Sequence, residues 1–177
     1  FLENDLKKAL HENEFKLFYQ PLWDIHSNKL VGMEGLIRWF HPSLGLIMPR
    51  QFISLAERTG LITDIEKQTL FMGCRFLKHL QFNMDSEVKL SINLSPKEFL
   101  KPGIIKLIQN LMDDFELEAK YLELEVTESL LMSNIKQCQA ILSQLSQMGV
   151  KIALDDFGTG YSSLNYLTQF PFNTVKI

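Results

Sequence analysis

Cysteine is nearly absent. The 177 residues hold only Cys74 and Cys138, far apart and each within a helix-like stretch, which excludes a disulfide-built fold and fits a reducing, cytosolic compartment. The four histidines, His11, His26, His41 and His79, show no paired spacing, so the usual zinc signatures are excluded and any metal would be held by oxygen. No apolar run approaches the roughly 18 residues that a membrane helix needs. The longest, around residues 30–40, is broken by Glu34 and Arg38. Neither sign of charge dominates: 18 Lys plus Arg against 21 Asp plus Glu leave a net charge of −3, which argues against a nucleic-acid binding face. Linkers, low-complexity tracts and repeats are absent too. The chain begins at Phe1, without Met and without a signal-peptide pattern, as expected of a piece of a longer protein.

What remains is an ordinary globular composition, 46% hydrophobic and 22% charged, in a length suited to one domain. Leu2, Leu6 and Leu10 between charged residues predict an opening surface helix. The aromatic and branched stretches 15–23 and 29–39 predict a two-stranded hairpin ended by His41-Pro42 and Gly45. Helices are expected from Pro49 to Gly60 and from Thr63 to about Leu80. Strands at 88–94, 121–127, 150–155 and 174–177 then alternate with helices at 103–115, 134–148 and 161–169. Strand starts 25–35 residues apart have the length of βαβ units, so a mostly parallel sheet flanked by helices is the expected architecture.

Polar residues recur towards the C-terminal ends of these strands: Glu34, Asn93, Glu125, Asp155, Asp156 and Lys176. A parallel barrel or sheet places its active site there. Acids and an amide at one mouth repel unless a divalent cation neutralises them, and hard oxygen ligands suit Mg²⁺, Mn²⁺ or Ca²⁺. Such an ion acts on phosphates as a Lewis acid, and Lys176 is placed to hold the water or the developing phosphorane charge. Each residue alone has a plainer reading. Glu34 fits the wet face of a hairpin, and Asn93 beside Ser95-Pro96 fits a helix cap. Glu123, Glu125 and Glu128 fit a solvated strand edge, and Asp155-Asp156-Phe157-Gly158 fits a turn. Arg38, on the face of Glu34, pairs either with a substrate phosphate or with a surface acid. The glycines of residues 157–163 suit a mobile loop at the mouth better than a phosphate loop, since the Walker lysine is missing. Phe52, Phe71, Met72, Phe76 and Leu77 fall at helical spacing and are expected in the core.

Glu34-Gly35-Leu36-Ile37-Arg38-Trp39, His41-Pro42, Gly45, Pro49, Phe52-Ile53, Ala56-Glu57 and Gly60-Leu61-Ile62 resemble the opening of EAL domains, the cyclic di-GMP phosphodiesterases. Asn93-Leu94-Ser95, Glu125-Val126-Thr127-Glu128-Ser129, the run from Asp155 to Leu164, and Val175-Lys176-Ile177 resemble its later motifs in order. The resemblance implies an α/β fold, a TIM-like (β/α) barrel whose first strand runs antiparallel. Residues 1–177 would be one EAL domain with about six of eight strands, lacking its last two β/α units.

It also implies that Glu34, Asn93, Glu125 and Asp155 ligate one Mg²⁺ or Mn²⁺, with Asp155 and Asp156 reaching a second. Lys176 would contact the attacking water, Arg38 would hold a substrate phosphate, Gln20 and Leu36 would line the nucleotide, and Glu128 would brace the loop after Asp156. The implied reaction is hydrolysis of cyclic di-GMP to pGpG, the alternative being a non-catalytic receptor or interaction domain. A two-carboxylate glycosidase is disfavoured by the amide and the lysine. Expected partners are cyclic di-GMP, a second copy of the chain, and sensory or diguanylate-cyclase-like domains of a cytoplasmic module, with no nucleic-acid polymer. Gly35 stands where the family's signature has alanine. Because residues 1–177 end before the family's later acidic base and glutamine motif, they are expected to be inactive alone.

Overall fold

The structure, a computed structural model, describes residues 2–84, 87–158 and 169–177, without the side chains of residues 83 and 84. Apolar positions at helical spacing make α1 (Leu2–His11), which buries Leu6 and Ala9. Strands β1 (Phe15–Asp24) and β2 (Lys29–His41) form the expected hairpin. Its turn is held by Asp24 Oδ1, which accepts from the amides of His26 and Ser27 at 2.8 and 2.7 Å. His41 does not end the sheet, as the sequence suggested. His41 Nδ1 accepts from the amides of Ser43 and Leu44, and a short β3 (Gly45–Ile47) returns against β2.

Helix α2 (Pro49–Thr59) starts with proline, whose missing N–H costs nothing there, and ends at Gly60 with φ 79°. Helix α3 (Ile62–Met84) then crosses to β4 (Lys89–Asn93). A four-residue α4 (Pro96–Phe99), α5 (Ile104–Asp114), β5 (Leu122–Thr127), α6 (Glu128–Ser133), α7 (Ile135–Gln147), β6 (Lys151–Asp155) and β7 (Thr174–Val175) complete the described chain. The short α6 was not foreseen, because it starts directly after a strand end and reads as its continuation. Helix α4 starts at Pro96, where the sequence suggests a cap, but Ser95 and not Asn93 caps it, its hydroxyl accepting the Glu98 amide at 3.3 Å. The helix expected over 161–169 lies almost wholly outside the described residues.

The sheet runs β1-β2-β4-β5-β6-β7, with β1 antiparallel to β2 and every later neighbour parallel. This is a partial TIM-like barrel with a reversed first strand, as expected. Helices cover one face. Leu90 and Ile92 of β4, Leu122, Leu124 and Val126 of β5, and Ile152 and Leu154 of β6 pack with Leu70, Cys74 and Leu77 of α3, Ile108 of α5, and Cys138 and Leu142 of α7. A second core joins Phe15, Trp39, Phe52 and Leu6 where α1 and α2 meet the hairpin, and Trp39 Nε1 donates to Glu14 Oε2 at 2.8 Å. Of the expected core aromatics, Phe71 is 47% exposed, set edge-on against Phe115 instead of inside.

The other face of the sheet carries the alternate residues. Every residue of β5 through Val126 is buried, including Glu123 and Glu125. The solvated-edge reading of these acids is thereby overturned: the alternation separates a helix-covered face from a barrel interior, both dry.

Helix α3 approaches β4 closely at Gly73. A Cβ there would overlap Ile92 Cδ1 and press on Leu90 Cδ2 at 3.0 Å. Alanine raises helix propensity by about 1 kcal/mol, but overpacking a filled core costs about 1–3 kcal/mol. Gly73→Ala is therefore expected to lower the melting temperature in thermal denaturation; an increase would show that α3 stands off the sheet.

Candidate functional site

The C-terminal ends of the parallel strands bring the sequence-predicted residues to one place. Glu34 of β2 is opposite Ser91 in register, and Asn93, the last residue of β4, is opposite Glu125. Asn93 Nδ2 donates to Glu34 Oε1 at 3.2 Å. Lys176, directly after β7, donates through Nζ to Glu34 Oε2 at 3.1 Å and to Glu125 Oε1. The lysine was expected inside the last strand; the ladder in fact ends at Val175, and Lys176 continues it only through its amide, which donates to Leu154 O at 2.8 Å.

Glu125 is 1% exposed and its Oε2 has no hydrogen-bond partner. Burial pushes its carboxyl up to about 6; the bond and charge of Lys176 oppose that rise, while Glu34 and Asp155 add repulsion. Burial works the other way on Lys176, but its contacts with Glu125 and Glu34 outweigh it and hold the ammonium above its ordinary value. Two carboxylates, an amide and an ammonium thus form one cluster, with Asp155 close enough to be felt. Among the described residues no three His, Cys, Asp or Glu side chains stand close enough to hold a metal by themselves. The donor chemistry nevertheless fits a hard cation: every uncharged or anionic donor is oxygen or amide, and one buried carboxylate oxygen lacks a partner.

The remaining predicted residues lie around this cluster. Asp155 ends β6 opposite Thr127, and Asp156 follows with φ 55°, a left-handed conformation rare outside glycine. Glu128, buried, opens α6 next to Thr127. Gln20 is exposed on β1 opposite Glu34, and Leu36 and Arg38 alternate with Glu34 on its own face of β2. Arg38 Nη1 donates to Ile37 O at 2.9 Å, and its Cζ lies 5.9 Å from the Phe18 ring centre. Among the described residues it makes no ion pair. Leu36, Ile37, Ile53, Glu57, Glu66 and Asn93 line a cavity of about 260 Å³ beside the cluster.

Glu66 was not foreseen. From α3 it accepts the Ser95 amide at 2.6 Å and the Ser95 hydroxyl at 3.0 Å, tying down the turn two residues after Asn93. In sequence it hides among Asp64 and Lys67 of an amphipathic helix, and only its place one turn after the apolar Ile62 marks an inward position. Burial pushes its carboxyl up to about 7, the Ser95 bonds pull down, and Glu98 and Glu57 push up.

The chain belongs to the EAL domain family, whose model matches residues 3–177. It is 42% identical over 176 residues to the bifunctional diguanylate cyclase/cyclic di-GMP phosphodiesterase MucR of Pseudomonas aeruginosa, covering 99% of this chain and 26% of that one. It is therefore similar to about a quarter of that protein's length. The solved structure of the PaMucR phosphodiesterase in its c-di-GMP complex superposes with a TM-score of 0.96 at 41% identity, covering 99% of this chain and 71% of that one. The EAL enzyme Bd1971 in its cAMP and cyclic-di-GMP bound form gives 0.92 at 32% identity, covering 99% and 49%.

Glu66 makes stability depend on pH. The unfolded chain loses this proton near the ordinary value of 4.5 and the folded chain near 7. Between those values the folded state holds the extra proton, so stability falls as pH rises through the window and levels off above it, by about 3 kcal/mol. Glu66→Gln keeps a neutral acceptor for the Ser95 amide. Its melting temperature is expected to fall less than the wild type's between pH 4.5 and 8; parallel curves would contradict this.

Proposed function

We propose that this chain is the greater part of a phosphodiesterase domain that hydrolyses cyclic di-GMP to linear pGpG with Mg²⁺ or Mn²⁺ bound. The observation that carries the reading is the buried, partnerless Oε2 of Glu125 at the strand-end cluster of Glu34, Asn93 and Lys176. The likeness to a phosphodiesterase solved with c-di-GMP supports it. Glu34, Asn93, Glu125 and Asp155 would hold one ion, and Asp155 and Asp156 a second. Bound ions supply Lewis-acid polarisation of the phosphate and activation of water.

The chain's own residues do the rest. Arg38, on the Glu34 face with its guanidinium over Phe18, turns its donors to a substrate phosphate. Gln20 and Leu36, on the same face, line the nucleotide. Lys176 donates to the attacking water and so places its oxygen in line with phosphorus. That oxygen bonds to phosphorus as the bond from phosphorus to the 3′ oxygen breaks; of the water's two protons one ends on the 3′ oxygen and the other passes to solvent, leaving a 5′ phosphate on pGpG. Glu128, at the start of α6, braces the segment that follows Asp156. The domain acts as a cytoplasmic module of a longer chain with sensory or cyclase-like partners, and as a homodimer.

The test is made on the full chain that carries this domain. With Mn²⁺ the wild type is expected to release pGpG from cyclic di-GMP. Glu34→Ala removes a group that stabilises developing charge, so kcat should fall about a hundred-fold or more while nucleotide binding weakens less. A wild type that binds cyclic di-GMP in Mn²⁺ but releases no pGpG would instead be a receptor.

A further inference from the structure

Strand β7 is two residues long, with two ladder pairs, Ala153–Thr174 and Leu154–Val175. So short a pairing specifies register weakly, and a slip of one residue would send Lys176 to the opposite face of the sheet. Two side chains pin it. Asn173 Oδ1 accepts the Ile152 amide at 3.0 Å, which ties β7 to its neighbour β6. Thr174 Oγ1 donates to Glu123 Oε2 at 2.8 Å, which reaches past β6 to β5. On that face of β6 the residue opposite Thr174 is Ala153, whose side chain is a single methyl group, while Lys151 is opposite Glu123.

Glu123 lies two residues before Glu125 on the same interior face and is 4% exposed. Its other oxygen accepts the Ser91 hydroxyl of β4 at 2.7 Å, and Lys89 Nζ stands 3.9 Å from Oε2. Beneath the layer of Glu34, Asn93, Glu125 and Lys176 there is thus a second polar layer, Ser91, Glu123 and Thr174, drawn from three of the same strands. Each of its members sits two residues before a member of the upper layer: Ser91 before Asn93, Glu123 before Glu125, Thr174 before Lys176.

We infer that Glu123 and Thr174 are positioning residues: their buried hydrogen bond sets the height and register of β7 so that the ammonium of Lys176 reaches Glu125 and Glu34. They touch no substrate and act through Lys176. The inference rests on the phosphodiesterase reading for its kinetic consequence, and on geometry alone for its structural one.

Both arms are measured in the full chain. Thr174→Val is nearly isosteric and removes the donor; Thr174→Ser restores it. In the kinetic arm, Thr174→Val is expected to lower kcat for cyclic di-GMP hydrolysis at least about ten-fold, as displacement of a catalytic group does. KM should stay within about two-fold, and Thr174→Ser should recover most of the loss. In the structural arm, amide hydrogen exchange at Lys176 and Phe157, whose N–H groups bond Leu154 O and Lys176 O, should accelerate in Thr174→Val and not in Thr174→Ser. A protein that never hydrolyses cyclic di-GMP defeats the functional reading, and the exchange arm still decides the positioning role. Unchanged exchange in Thr174→Val would overturn the inference, as would equal losses for Val and Ser.

Discussion

A carboxylate with 1% of its surface open to water must be neutralised, bonded or protonated, and Glu125 organises the site through that requirement. One oxygen takes Lys176 and the other takes nothing. Its proton affinity is raised by burial, against the opposing pull of Lys176, and by its acidic neighbours Glu34 and Asp155. Glu34 shares the same ammonium and takes the amide of Asn93 as well. Removing the lysine would leave two carboxylates facing each other in a nearly dry interior.

The fold makes this juxtaposition cheap. Parallel pairing puts Asn93 opposite Glu125 and brings Thr127 opposite Asp155, so residues separated by 28 to 142 positions meet without any dedicated loop. The helices α3, α5 and α7 fill the outer face with apolar side chains, which frees the inner face for polar ones. Two supports stand outside the strand-end cluster. Glu66 holds the turn after Asn93 from the helix layer, and Glu123 holds β7 from inside the barrel.

Much of this was legible in the sequence where a period was long enough to count. The hairpin, the alternating strands and helices from residue 88 onward, and the six polar residues at strand ends all came from periodicity and order. Resemblance to EAL motifs supplied the reversed first strand. The misses have specific causes. β3 is three residues long, follows a proline and begins on the very glycine that signals an ending. The alternation Leu122-Glu123-Leu124-Glu125 is identical for a wet edge and for a barrel interior, and only the neighbouring strands distinguish them. Glu66 lies in a helix whose other charges face outward, so its inward turn becomes visible only when Ser95 is placed beside it. Lys176 falls at the expected mouth, but directly after a strand of only two residues, held there by its own amide on Leu154 O and by the side chains of Asn173 and Thr174.

On the proposed function, buried Glu125 is where a divalent cation enters. Mn²⁺ electron paramagnetic resonance on the full chain tests it directly, comparing wild type with Glu125→Gln while circular dichroism reports the fold. The wild type is expected to quench the free-ion signal, and Glu125→Gln, still folded, is not. Equal Mn²⁺ binding by the two proteins would contradict it.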